Sequence, residues 1–333
     1  MQDIVNSGAI IEINNLIVHY EMDEGVVEAV NNLSLTINRG ETVGLIGETG
    51  AGKTTVALSA LGLLPEKRSH VVMGEIMFGG ENLLKKTNKE MQPIRGKRIS
   101  MIFQDPMTAL NPVKRVGDQI AEVIAIHRDK SNSKPPNVQA TELLAEVGIP
   151  EERYSSYPFE FSGGMKQRVV IAMALACRPE LIIADEPTTA LDVTIQAQVL
   201  GLMKQLKDKY NTSMLLITHD FGVVAETCER CAVMYAGEVV ESGTVEDIFD
   251  RPMHPYTIGL FGSLPKLEGD TLELKPIKGL MPDPMNLPEH CTFADRCEHC
   301  TDRCREGDPK AVEVSPGHMV KCFLAAGSEI EVA

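Results

Sequence analysis

Residues 47–54 read GETGAGKT. The run leading into them, ETVGLIG at 41–47, is short and apolar, and KTTVALSALGLL at 53–64 continues with apolar residues at helical spacing. A strand, a glycine-rich turn and a helix in that order make one unit of an α/β fold. The turn fits G-x-x-x-x-G-K-[ST]: its glycines let successive backbone N–H groups curl around the β- and γ-phosphates of a nucleotide, and Lys53 adds a charge. The Thr54 hydroxyl can ligate Mg²⁺, and the helix start contributes the positive end of its dipole. The nucleotide-binding set is therefore Gly47, Thr49, Gly50, Ala51, Gly52, Lys53, Thr54 and Thr55. The competing reading, an ordinary glycine turn, is disfavoured by the strand before it and the helix after it.

Upstream, IIEINNLIVHY at 10–20 and VVEAVNNLSLTI at 26–37 alternate apolar and polar residues, the pattern of half-buried strands. Downstream, RISMIFQ at 98–104, LIIAD at 181–185 and SMLLITH at 213–219 are compact apolar runs suited to a sheet covered on both faces, so a parallel α/β sheet is expected. Between them, VGDQIAEVIAIH, NVQATELLAEVG and GGMKQRVVIAMALA read as amphipathic helices. They define a helical subdomain over about 105–175, within a nucleotide-binding domain spanning 1–250. Nine of the nineteen prolines fall after residue 250, which predicts a loop-rich, separately organised domain over 251–333.

LIIADEP at 181–187 supplies the other half of a hydrolytic site. A buried strand ends in Asp185, placed to hold Mg²⁺, and is followed by Glu186, suited to polarising the attacking water. Seen alone, such a stretch could be an acidic strand-to-loop turn. His219, at the end of SMLLITH, could contact the γ-phosphate and orient Glu186, although a lone histidine is more often structural. Gln104, ending RISMIFQ, could reach Mg²⁺ or the water.

FSGGMKQR at 161–168 adds a second anion site, a serine hydroxyl and glycine N–H groups at a helix start. It resembles the signature loop of the ABC ATPases, usually LSGGQ, with Phe161 and Met165 replacing Leu and Gln while Ser162, Gly163 and Gly164 remain. The resemblance covers residues 10–250, and its parts follow the family's order. Tyr20 stands for the adenine, then come the phosphate loop, Gln104, the signature, Asp185 and Glu186, the stretch from Ala190 to Asp192, and His219. It implies that two such domains pack head to tail, each nucleotide lying between the phosphate loop of one and the SGG loop of the other.

Around these motifs, FQDPMTALNP at 103–112, DEPTTALDVTIQAQ at 185–198 and HPYT at 254–257 are similar to the ATP-binding subunits of oligopeptide, dipeptide and nickel importers, dipeptide subunits first. The fold class expected is an ABC-type P-loop ATPase domain with a helical subdomain and a small C-terminal cysteine-containing domain. The implied function is an ATPase motor driving di- or oligopeptide import, with nickel or another solute as the alternative cargo. The implied partners are two membrane-spanning permease subunits, a second ATP-binding subunit that is a paralogue or a second copy, and, indirectly, an extracytoplasmic binding protein. A soluble ABC ATPase acting on nucleic acid or ribosomes is the reading from another class. Repair members carry long coiled coils and translation members two ATPase domains in one chain, and this sequence has neither.

The bulk composition agrees. The chain has 333 residues, 43% apolar and 24% charged, with a net charge of −15. That field repels nucleic acid. The longest apolar run, VVIAMALAC at 169–177, is about half of what a bilayer crossing requires. The start, MQDIVNSGAIIEIN, lacks the features of a secretory signal. The expectation is a peripheral protein at the cytoplasmic face of the membrane, in a reducing compartment.

That compartment colours the last motif, HCTFADRCEHCTDRC at 290–304, with Cys322 beyond it. Five cysteines in a reduced, loop-rich tail point to metal ligation rather than disulfides. Zinc and iron–sulfur both accept four thiolates. Cys297 and Cys300 have the two-residue gap common in zinc sites. The importer subunits resembled carry C-x5-C-x6-C and a later cysteine, several with a [4Fe–4S] cluster, which implies Cys291, Cys297, Cys304 and Cys322 as ligands and Cys300 as an addition or alternative. Cys177, Cys228 and Cys231 are expected to be buried in the ATPase domain.

Overall fold

The computed structural model describes residues 8–128, 134–189, 191–263 and 276–325. Ala190, part of the stretch from Ala190 to Asp192, lies outside them. In chain order the strands are β1 (Ala9–Met22), β2 (Gly25–Asn38), β3 (Thr42–Ile46), β4 (Ser69–Phe78), β5 (Glu81–Asn82) and β6 (Ile99–Ile102), then β7 (Leu181–Asp185), β8 (Ser213–Thr218), β9 (Arg230–Tyr235), β10 (Glu238–Thr244), β11 (Val312–Ser315) and β12 (His318–Val320).

β1 and β2, the half-buried strands expected from their alternation, form a long antiparallel pair, and with β4 and β5 they make a four-stranded sheet ordered β2-β1-β4-β5. The main sheet has eight strands, β11-β12-β10-β9-β3-β8-β7-β6. Its β9-β3-β8-β7-β6 part is parallel. β3, β7 and β8 are buried at every residue, which explains why each reads as an unbroken apolar run.

The expectation of a parallel sheet is corrected at its other edge, where β9, β10, β12 and β11 pair antiparallel. β9 and β10 are joined by Ala236 and Gly237 alone, with φ of 45° and 86°, a tight reversal whose twist matches that of paired strands. β12 then lays the C-terminal region onto β10. Its hairpin thus extends the sheet of the preceding region.

A buried polar node reinforces the junction. The Glu241 carboxylate of β10 accepts from the backbone N–H of Met253 at 2.7 Å and of His254 at 3.0 Å. His318 of β12 approaches it at 2.8 Å, both side chains being almost inaccessible. A buried carboxylate is tolerated only with such partners, so the node selects one docking of the tail.

Three large apolar cores and a small one around Val320, Cys322 and Ala325 organise the rest of the described residues. One lies between the four-stranded sheet, the helix Lys53–Leu61 and one face of the main sheet. The second joins the other face to the helices Val116–Ile126, Pro136–Glu146, Gly163–Leu175 and Val193–Tyr210, three of which are the amphipathic stretches expected between β6 and β7. The third unites Ile46, Phe221, Tyr235 and Val240 with Tyr256 and Phe293 from the C-terminal region. Cys231 is buried, as expected, and Cys228 is half-buried. Cys177 stands in the turn just beyond Leu175 and is also half-buried rather than buried.

Candidate active site

The phosphate loop sits between β3 and the helix Lys53–Leu61, and its glycines are dictated by neighbours. A Cβ at Gly47 would stand 2.2 Å from the Met234 carbonyl oxygen, and Gly52, at φ 101°, faces the Ala29 carbonyl at the same distance. Only the residue without a side chain lets β9 and β2 press so closely on the loop.

Lys53, 7% exposed, donates to the carbonyls of Gly47 at 2.7 Å and Glu48 at 2.9 Å, so the loop wraps its own cation. Burial pushes its ammonium below the ordinary lysine range, while Glu186, Asp185 and Glu48 push back in that order. The Thr54 hydroxyl donates to Asp185 Oδ2 at 2.8 Å, bringing together two of the three residues expected around Mg²⁺. Burial and the charge of Glu186 raise the Asp185 carboxyl, with Thr54 and Lys53 acting in opposition.

Glu186 is the centre of the other half. It directly follows β7, in the left-handed region with φ 46°, an uncommon conformation for this residue type. Gln104 Nε2 donates to its Oε2 at 3.0 Å, the Thr189 hydroxyl donates to the same oxygen at 2.9 Å, and His219 Nδ1 lies 3.2 Å from Oε1. Burial works against ionisation, but the hydrogen bonds from Thr189, His219 and Gln104 prevail and hold this carboxyl below its ordinary value. Three residues separated by 115 positions thus converge on one carboxylate. Thr189 was not picked out from the sequence, and its only signal is its place three residues after Glu186.

Tyr20, on β1, has its hydroxyl 3.2 Å from that of Thr55, which anchors the ring beside the helix carrying the phosphate loop. Ser162 caps the helix Gly163–Leu175 by accepting from Met165 N–H, and Ser162 and Gly163 are exposed. Asp192 caps the helix Val193–Tyr210, accepting from Ile195 N–H at 3.0 Å. Gln167, also missed in the sequence, is wholly buried and donates to the Pro187 carbonyl, tying the signature helix to the loop after Glu186. The sequence contains one phosphate loop and one exposed signature loop, each built on a different core.

In the tail, Cys291, Cys297, Cys304 and Cys322 line one small cavity together with His254, Phe293 and Phe323. Cys300 is not among its walls, and its thiol turns to the Thr301 carbonyl. All eight cysteines are free thiols. The void is only about 10 Å³. Among the described residues no group of three or more His, Cys, Asp or Glu side chains is disposed to hold a metal ion. The thiols converge without forming a finished metal site. Burial pushes Cys291 up to about 11 and Cys297 to about 12.

A cassette with this fold and these motifs in this arrangement is an ABC-type ATPase, and the comparisons agree. The profile of the family described as ABC transporter matches residues 30–189, and that of the oligopeptide/dipeptide transporter C-terminal region matches residues 240–304. A probable peptide ABC transporter ATP-binding protein of Sinorhizobium fredii is 47% identical, over 97% of each chain. A dipeptide transport ATP-binding protein of Bacillus subtilis is 48% identical, over 95% of this chain and 94% of its own. The structure of a dimeric ATP-binding cassette in a post-hydrolysis state, bound to ADP and phosphate, superposes with a TM-score of 0.62 at 27% identity, covering 71% of this chain and 98% of that one. The chain belongs to the family of ABC transporter ATP-binding proteins, in its oligopeptide/dipeptide branch. It is an ATPase.

Proposed function

We propose that this chain is the motor subunit of a di- or oligopeptide importer, which closes on a second ATP-binding subunit around ATP and reopens on hydrolysis. The observation that carries the reading is the Glu186 centre. It presents an ionised carboxylate, held by Gln104, Thr189 and His219, beside the loop that wraps Lys53. Glu186 polarises the attacking water, His219 contacts the γ-phosphate and orients Glu186, and Gln104 reaches the water or Mg²⁺. Thr54, Asp185 and Gln104 supply the hard oxygen donors that Mg²⁺ prefers, and the ion when bound neutralises charge on the phosphates. Tyr20 stacks on the adenine. Gly47, Thr49, Gly50, Ala51, Gly52 and Thr55 cradle the phosphates. Ser162, Gly163, Gly164 and Asp192 serve the partner's nucleotide, consistent with the exposure of Ser162 and Gly163.

The division into an ATPase domain over 1–250, with its helical subdomain over about 105–175, and a C-terminal domain over 251–333 belongs to the same proposal. Beside Gln104, an open groove of about 660 Å³ is lined by Leu63, Met101, Phe103, Val123 and Met173, an apolar seat for a permease loop. No helix among the described residues is long and apolar enough to cross a membrane. Placement at the cytoplasmic face therefore comes through two permease subunits, with the extracytoplasmic binding protein engaged only indirectly. Captured from its native membrane, the chain is expected to bring down two membrane-spanning subunits and a second ATP-binding subunit. Recovery with ribosomes or nucleic acid and no membrane subunit overturns the reading.

The proposal extends to a [4Fe–4S] cluster on Cys291, Cys297, Cys304 and Cys322. The donor set fits in kind: four soft, unpaired thiols meeting at one cavity and sharing it with aromatic rings. The void that they share is about 10 Å³ as it stands. Burial raises the pKa values of Cys291 and Cys297 and keeps those two thiols neutral until a positive centre compensates them. The cluster's contribution when bound is a cross-link within a tail poor in regular structure.

A further inference from the structure

The phosphate loop contains an acid. Glu48 follows Gly47 directly, in a segment whose task is to bind a polyanion, and its carboxylate adds charge of the wrong sign there. The structure shows what offsets it. Arg296, in the 3₁₀ turn Ala294–Arg296 between Cys291 and Cys297, places its guanidinium Nη1 3.1 Å from Glu48 Oε2. The Arg296 side chain is 8% exposed and that of Glu48 31%, so the contact is largely shielded from water.

The guanidinium is held from several sides. Nε donates to the Lys278 carbonyl at 3.1 Å, Nη1 also reaches the Tyr235 hydroxyl at 3.4 Å, and the group lies 5.7 Å from the centre of the Tyr235 ring. A second contact from the C-terminal region reaches the same residue: the Glu48 N–H donates to the hydroxyl of Tyr256 at 3.1 Å. Tyr256 is wholly buried against Tyr235 and Phe293, with ring centres 4.6 and 5.5 Å away. Met281 covers the same loop, its Cε 3.2 Å from where a Cβ on Gly50 would stand. Residues 256, 281 and 296 therefore grip the loop at Glu48 and Gly50.

We propose that Arg296 is a positioning residue of the nucleotide site: by neutralising Glu48 and, with Tyr256, fixing the phosphate loop, it makes the cysteine-bearing tail a working part of ATP binding. Without Arg296 the Glu48 carboxylate competes for the Lys53 ammonium, on which its charge already acts, and repels the phosphates. The inference rests on the ATP site proposed above.

Fluorescent-ATP titration of the full-length chain with Mg²⁺ tests it. Arg296→Ala, and Arg296→Met, which keeps an apolar stem over Tyr235, are each expected to weaken binding by about tenfold. Adding Glu48→Gln to either variant is expected to return affinity to within about threefold of the parent chain, because the uncompensated charge is gone. Damage to the tail's fold would not be rescued by a substitution in the phosphate loop. Unchanged affinity in both Arg296 variants, or a loss that Glu48→Gln fails to rescue, overturns the proposal. A parent chain that binds no nucleotide overturns the ATP site itself and this inference with it.

Discussion

The phosphate loop and the cysteine cavity are built in opposite ways. The loop is eight consecutive residues between a strand and a helix, and its donors are backbone N–H groups placed by local geometry, with Lys53 wrapped inside. The cavity draws four side chains from positions 291 to 322 on mostly irregular backbone, beside the start of the helix Pro255–Gly262 and a 3₁₀ turn at Ala294–Arg296. The loop is charged before any ligand arrives. In the cavity, burial holds the thiols of Cys291 and Cys297 neutral. A site made of backbone is carried by its fold, whereas a site made of soft side chains waits on its ligand. Arg296 joins the two.

The largest effect is expected on the loop side. With Glu186→Gln the amide keeps the contacts of the carboxylate but cannot polarise water, so turnover should fall by about a thousandfold with the partner subunit present. Nucleotide affinity should stay within about twofold of the parent chain. Near-normal turnover would mean that the carboxylate gathered by Gln104, Thr189 and His219 is not the group that activates water.

Next in size is the contrast between the two anion sites. Lys53→Ala removes a charged donor from a buried position and should weaken nucleotide binding to the isolated chain by about ten- to a hundredfold. Ser162→Ala should leave that monomer affinity alone and instead slow hydrolysis in the assembled pair. Equal losses of monomer affinity in the two variants would break the idea of a site shared between two chains.

The smallest effect on turnover, and the sharpest for the cavity, comes from the cysteines. Anaerobically purified protein should be brown, with about four irons and four sulfides per chain. Cys297→Ser should lose the colour and lower the melting temperature by several degrees, roughly what 1–2 kcal/mol costs a chain of this size. Cys300→Ser should retain both properties. Colourless protein carrying about one zinc would replace the iron–sulfur assignment with a tetrahedral site.

Which parts were legible in the sequence follows from how far apart the interacting residues lie. The strands β3, β7 and β8 could be read because burial on both faces forces an unbroken apolar run, and β1 and β2 because burial on one face forces alternation. β9 and β10 were harder, since their reversal rests on Ala236 adopting a positive φ that its residue type does not advertise. β11 and β12 total seven residues in a proline-rich region, too short for a periodic signal. The parallel sheet expected therefore became a mixed one.

The sequence alone determined the nucleotide chemistry, because GETGAGKT, SGG and DEP each complete their local geometry within a few residues and a resemblance could attach to them. Only the tertiary structure decided what meets across long separations. It turned Cys300 away from the cavity that the other four tail cysteines line, brought Gln104 and His219 to Glu186, buried His318 against Glu241, and set Arg296 against Glu48, 248 positions earlier. The physical reason is that a local motif is specified by backbone torsions and spacing, which the residues themselves encode. A contact between distant side chains exists only after the sheet order and the packing of the cores have put both ends in one place.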